Sequence, residues 1–119
     1  ISVLPYSPVA KGFLTGKYTR NEKNDTIRFK TDPRLAERFF KPEDFDVLEI
    51  VMQISNEKGV KPAQIALAWL LEKNTAPIIG VTKKSHVEDA VESLNIKLTS
   101  NDMKQLEEPY KMHPTTGYE

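Results

Sequence analysis

Pro77-Ile-Ile-Gly-Val-Thr-Lys-Lys-Ser-His-Val-Glu88 is the stretch on which the fold turns. Pro77 to Val81 is a short apolar run of the kind that forms a strand buried on both faces, as in a parallel sheet. Thr82-Lys-Lys84 allows only a tight connection. Ser85 and Glu88 then stand at the spacing of a capping box, with the Ser as N-cap and the Glu three residues on. The spacing predicts a helix from His86 to about Leu94 that buries Val87, Ala90, Val91 and Leu94.

Two helices are predicted before this strand. Pro42 suits a first helical turn and opens one over 42–58. Phe45, Leu48, Val51, Met52 and Ile54 form its apolar stripe, and Gly59 suits its C-terminal cap. Pro62 opens the next, where Ile65, Ala66, Ala68, Trp69 and Leu70 give one broad buried face and Asn74 closes the helix. Ile1-Ser-Val-Leu-Pro-Tyr6 reads as another buried strand, with Pro5 placed where no ladder donor is needed. Strand, helices, strand is the order that builds a parallel sheet through a right-handed crossover. Ser7 to Lys17 reads as a loop with Gly12 and Gly16 as its flexible points. Residues 18–41 are polar and aperiodic and read as a long excursion with one short helix around Pro33–Phe40. Beyond the decisive stretch, Thr99-Ser-Asn-Asp102 starts a last helix that ends before Pro109, and 110–119 is a tail.

Composition narrows the function. The chain has 119 residues, 17 Lys plus Arg and 17 Asp plus Glu, so bulk charge favours neither nucleic acid nor a membrane surface. No run approaches the roughly 18–20 apolar residues of a membrane helix. There is no Cys, which removes disulfides and thiol chemistry, and only His86 and His113 are available, too few for a His-rich metal site. His113 lies in the tail and is expected to be solvated. The first residue is Ile1 in an apolar run, which suggests a piece of a longer protein; a processed mature terminus is the alternative.

Two segments have the physics of a phosphorylated-ligand site, and both follow a predicted strand, at the carboxyl end of a parallel sheet. In Gly80-Val-Thr-Lys-Lys-Ser-His86, helix-end N–H groups, the hydroxyls of Thr82 and Ser85 and the cations Lys83 and Lys84 would suit a phosphate monoester. A plain capped helix with two solvated lysines fits the same residues. In Tyr6-Ser-Pro-Val-Ala-Lys-Gly-Phe-Leu-Thr-Gly-Lys17, an aromatic at a strand end can stack on a flat ring, and Ser7, nearby amides and Lys17 can meet a pyrophosphate. A tyrosine packed in the core rim above an ordinary turn fits equally well. The second segment is no P-loop: the Gly12–Gly16 spacing is too short and Tyr18 stands where Ser or Thr is required.

Taken together, the two segments resemble the C-terminal part of an aldo-keto reductase. Leu4 to Tyr18 resembles that family's seventh barrel strand and following loop. Ile65-Ala-Leu-Ala-Trp-Leu-Leu71 resembles the helix before strand eight, Ile78 to Ala90 resembles strand eight and its nucleotide-binding helix, and Leu106-Glu-Glu-Pro-Tyr110 resembles the end of the last helix. The nearest branch includes aryl-alcohol dehydrogenase-like and potassium-channel β-subunit-like reductases. The resemblance covers nearly the whole chain and is weakest over 19–45.

The resemblance implies an α/β fold, the C-terminal fragment of a (β/α)8 TIM-type barrel, with strands 7 and 8 and flanking helices filling 1–119. It also implies an NADPH-dependent, cytoplasmic oxidoreductase acting on a small-molecule carbonyl substrate. By position, Tyr6 would stack on the nicotinamide. Ser7, Pro8, Val9 and Lys17 would line the pyrophosphate, with Arg28 helping from the long loop. Gly80, Thr82 and Lys83 would hold the adenosine ribose and its 2′-phosphate, His86 would flank that phosphate, and Asp89 would face the adenine. Many relatives carry Asn at the position of Ala90 and Arg or Gln at that of His86. The family's catalytic Asp, Tyr, Lys and His fall on earlier strands, so no catalytic residue is assigned here and the chain by itself is expected to be inactive. Two other readings share the resemblance: an NADP-binding regulatory module of the channel β-subunit type, and a truncated, non-functional product.

Overall fold

A computed structural model describes residues 1–20 and 27–114. Their regular structure is helical. The helices are α1 (Ile27–Thr31), α2 (Arg34–Phe39), α3 (Pro42–Lys58), α4 (Pro62–Glu72), α5 (Lys84–Glu92) and α6 (Ser100–Glu107), with 3₁₀ turns at Ala10–Thr15 and Ser93–Asn95. Helix α4 is central and packs against α3, α5 and both 3₁₀ turns, while α6 lies on α3.

The sequence signals at the helix ends work as expected. Pro42 and Pro62 each occupy the first turn, where a missing N–H costs nothing. The side chains of Asp44 and Gln64 accept from the N–H groups of Lys41 and Lys61, the residues that precede each helix, at 3.0 and 2.9 Å. Gly59 ends α3 at φ 65°, and Asn74 turns the chain after α4 at φ 55°. Both sit in the left-handed region that Gly and Asn tolerate. The hydroxyl of Thr99 and the carboxylate of Asp102 exchange backbone hydrogen bonds in a full capping box at α6.

The core has two parts. In the first, Val51 and Ile54 of α3 meet Ile65 and Ala68 of α4, with Leu98 and Leu106 closing the far side. The second is aromatic. Phe13 and Tyr18 are buried with Leu35, Phe45 and Leu48, and Phe29, Phe39 and Phe40 pack against them. All five phenylalanines of the chain belong to it. Within the excursion expected over 18–41, Tyr18, α1 and α2 are therefore tied to the loop of residues 7–17, and 21–26 lie outside the described residues. Trp69 is half-buried rather than fully core: it packs against the first cluster, and its indole N–H donates to Glu107 at 3.0 Å.

Three expectations need correction. The stretches 1–6 and 77–81 form no regular strand among the described residues. They meet in one isolated parallel bridge, Tyr6 with Ile78. Ile78 N–H donates to the Pro5 carbonyl at 2.8 Å and Ala76 N–H to that of Val3 at 3.0 Å. A barrel strand is held by ladders on both edges, and here each stretch has one neighbour. Second, α5 starts at Lys84 with Lys83 as N-cap, so Ser85 lies inside the first turn and caps nothing. Third, Val87, Val91 and Leu94 are exposed, at 44%, 58% and 61%. With Ala90 and with Leu67, Leu71, Pro77 and Ile79 they line an open apolar groove of about 250 Å3 that no described element covers.

Candidate functional site

The parallel bridge sets the geometry. Because the two segments run in the same direction, the chain leaves Tyr6 and Ile78 from the same end. The loop that starts at Ser7 and the connection that starts at Gly80 therefore emerge side by side, at the carboxyl end of the paired segments.

The first loop is tightly wound. Ser7, Ala10 and Lys11 have φ of 59°, 49° and 56°, and Gly12 and Gly16 have 94° and 80°. A left-handed conformation costs a non-glycine residue about 1–2 kcal/mol. Ser7 also precedes Pro8, which ordinarily holds the preceding residue extended. The backbone closes on itself through Ala10 N–H to Ser7 O at 2.8 Å and Gly12 N–H to Val9 O at 2.9 Å. Phe13 anchors the far end in the aromatic cluster. Tyr6 stands 79% exposed at the mouth of the loop and belongs to neither buried cluster. Ser7, Pro8 and Val9 are half-buried and Lys17 is exposed. Arg28 reaches the same loop, donating to the Lys11 carbonyl at 3.1 Å.

The second element is the entry to α5. Gly80, Thr82, Lys83 and His86 are all exposed. A Cβ added at Gly80 would meet nothing within 4 Å, so packing within the chain does not require the glycine and a ligand could approach its backbone. The Nδ1 of His86 accepts weakly from Thr82 N–H at 3.4 Å. That contact occupies Nδ1 and leaves Nε2 as the ring nitrogen that could face an anion. Lys83 and Lys17 have no carboxylate partner among the described residues, whereas Lys84 pairs with Glu88 at 3.4 Å. Asp89 is differently committed. Its two carboxylate oxygens lie 2.7 and 2.8 Å from Lys61 Nζ, so an adenine contact there would compete with an ion pair.

These residue types suit a dinucleotide: an exposed aromatic ring, cations without a carboxylate partner among the described residues, open backbone and a helix entry. Two features of the tail and cap were not legible beforehand. His113 is not solvated as expected, since its Nε2 lies 2.7 Å from Asp44 Oδ1 with only 25% of the side chain exposed. Lys111 pairs with Glu43 at 2.8 Å, which fastens the start of the tail to the first turn of α3. Attachment of a tail by long-range pairs leaves no local sequence signal. Among the described residues no group of three or more acidic, His or Cys side chains converges on a metal position.

Comparison with known proteins identifies the class. A model of the Aldo/keto reductase family matches residues 1–111. The chain is 37% identical over 117 residues to a Schizosaccharomyces pombe protein named as a putative aryl-alcohol dehydrogenase, covering 98% of this chain and 35% of that protein. It is 33% identical over 121 residues to the versiconal hemiacetal acetate reductase of Aspergillus parasiticus (96% and 34%). It is 35% identical over 115 residues to the chloroplastic pyridoxal reductase of Arabidopsis thaliana (96% and 30%). Among solved structures it resembles a glycerol dehydrogenase from Gluconobacter oxydans, with a TM-score of 0.63 at 22% identity, over 98% of this chain and 38% of that one. The last likeness speaks to fold, and it supports a fragment of the TIM-type barrel. The chain belongs to the aldo/keto reductase family. It spans about a third of the length of the curated relatives it matches.

Proposed function

We propose that this chain supplies the NADPH-binding part of an oxidoreductase of the aryl-alcohol dehydrogenase-like kind, acting on small aldehydes or ketones. The observation that carries the reading is the parallel bridge between Tyr6 and Ile78, which brings the Ser7–Lys17 loop and the Gly80–His86 connection out at one end. Family membership supplies the chemical class.

When bound, the dinucleotide would supply the hydride. The residues of this chain would bind and orient it. Tyr6 offers its exposed ring to the nicotinamide. Ser7, Pro8, Val9 and Lys17 lie along the pyrophosphate, with Arg28 bracing their loop. Gly80 and Thr82 receive the adenosine ribose, Lys83 meets the 2′-phosphate as a point charge, and His86 flanks it through Nε2–H. Asp89 lies at the adenine end and reaches the base only by releasing Lys61. A catalytic proton donor is not assigned to any residue of this chain. A cytoplasmic location belongs to the same proposal; among the described residues no helix is long and apolar enough to cross a membrane.

Titration of the whole protein with NADPH and NADH, read through the fluorescence of the cofactor, tests the reading. Saturable binding with preference for NADPH is the expected result. Absence of binding by either dinucleotide would overturn it.

A further inference from the structure

We propose that Asp32 and Lys11 are positioning residues for cofactor retention: their ion pair, with Arg28 on the Lys11 carbonyl, holds the Ser7–Gly16 loop in the conformation that receives the pyrophosphate. The inference rests on the dinucleotide-binding reading above.

Lys11 is held from two sides by residues distant in sequence. Its Nζ lies 2.5 Å from Asp32 Oδ2, and its carbonyl accepts from Arg28 Nη1 at 3.1 Å. Lys11 is also one of the residues forced into the left-handed region, at φ 56°. A long side chain gains nothing from that conformation; the Gly12 N–H to Val9 O bond closes the turn from within, and the contacts to Asp32 and Arg28 add hold from outside the loop. Asp32 is itself fixed. Its Oδ1 accepts from Arg34 N–H at 3.2 Å, and its carbonyl accepts from Leu35 N–H at 3.0 Å, at the start of α2. Leu35 is fully buried and Phe39 packs in the aromatic cluster. The chain of contacts thus runs from the buried core, through the Asp32 carboxylate, to the backbone of the loop. Lys11 holds the Asp32 carboxyl below its ordinary value, and the Arg34 N–H and the charge of Arg38 act the same way against partial burial. The carboxylate therefore stays charged at neutral pH.

The loop serves the part common to NADPH and NADH. Loosening it should speed release of both by the same factor, unlike a change at the 2′-phosphate. Asp32→Asn keeps an acceptor for Arg34 N–H while removing the charge, and Lys11→Met removes the ammonium from the other side. The measurement, in the whole protein, is the dissociation rate of NADPH and of NADH by stopped-flow fluorescence. The affinity for 2′,5′-ADP, which has the 2′-phosphate but no pyrophosphate, serves as a control. Each variant should raise both dissociation rates about 3–10-fold and leave 2′,5′-ADP affinity unchanged. The double variant should do no more than either single, and Lys11→Arg should restore most of the effect. Unchanged dissociation in both singles, or a parallel loss of 2′,5′-ADP affinity, overturns the positioning role while wild-type dinucleotide binding stands. Failure of the wild type to bind any dinucleotide overturns both readings.

Discussion

Lys61 Nζ grips both carboxylate oxygens of Asp89, joining the residue that precedes α4 to the middle of α5. Beneath this pair, buried Gln64 donates to the Asp89 carbonyl at 3.0 Å and to Glu92 at 3.2 Å, while its own oxygen caps Lys61 N–H. The ion pair is solvent-facing, with 61% of the Lys61 side chain exposed. Its loss should cost at most about 1 kcal/mol. Gln64→Leu strands several polar groups at once and should cost about 1–3 kcal/mol. Urea unfolding of Lys61→Met and Gln64→Leu measures both, and the order of the two losses is the check.

Lys83 should discriminate between dinucleotides. It is the N-cap of α5, exposed, and without a carboxylate partner among the described residues. A hydrogen bond to a charged group is worth roughly 1–3 kcal/mol, so Lys83→Ala should weaken NADPH by that amount and leave NADH almost unmoved. Lys84→Ala should do less, because its ammonium already faces Glu88. Raising salt should shrink the Lys83 effect at so open a site. Equal losses for the two cofactors would remove this lysine from the 2′-phosphate.

Phe13 links the Ser7–Lys17 loop to the core. It is 2% exposed, and its ring centroid lies 5.2 Å from that of Phe45 and 5.5 Å from that of Phe40. Phe13→Ala should lower stability by about 3–5 kcal/mol, the usual cost of emptying such a site. Denaturant midpoints give the value, and a loss below about 1 kcal/mol would mean that the aromatic cluster collapses easily around the gap.

Asp102 gives the fold an acid-sensitive joint. Burial pushes its carboxyl up, but hydrogen bonds from the Thr99 N–H, Lys58 and the Thr99 hydroxyl outweigh that and hold it below the ordinary value of 3.8. A carboxyl held low in the folded state stabilises above its unfolded value, and the contribution is lost as pH falls through the folded value. Asp102→Asn should therefore be less stable than wild type near neutral pH, with the gap closing as pH drops below 3.8. Urea midpoints at about pH 7 and about pH 3 test the sign.

What the sequence disclosed, it disclosed through local rules. Pro42, Gly59, Pro62, Asn74 and the Thr99–Asp102 box marked helix ends because each acts on backbone within a few residues. The stripe of α3 was visible for the same reason. The Lys83 N-cap was missed because Ser85 and Glu88 satisfy the spacing rule, while the chain turns into helix two residues earlier. The aromatic cluster was missed because Phe13, Phe29, Phe40 and Phe45 are spread along the chain and share no period. Burial of Val87, Val91 and Leu94 was overestimated because periodicity identifies an apolar face but not what lies against it. At the site, residue types were readable, whereas the Lys61 grip on Asp89 and the Arg28 contact to Lys11 depend on distant pairings.

The parallel bridge of Tyr6 with Ile78 also divides labour within the chain. The buried residues of both clusters come from α2, α3, α4, α6, the 13–18 segment and Leu98, and Tyr6, Gly80, Thr82 and Lys83 contribute to neither. Substitution at these four positions is expected to disturb neither buried cluster. Under the proposed reading, the dinucleotide-facing positions are therefore expected to change under selection with less cost to the scaffold than the buried clusters beneath them.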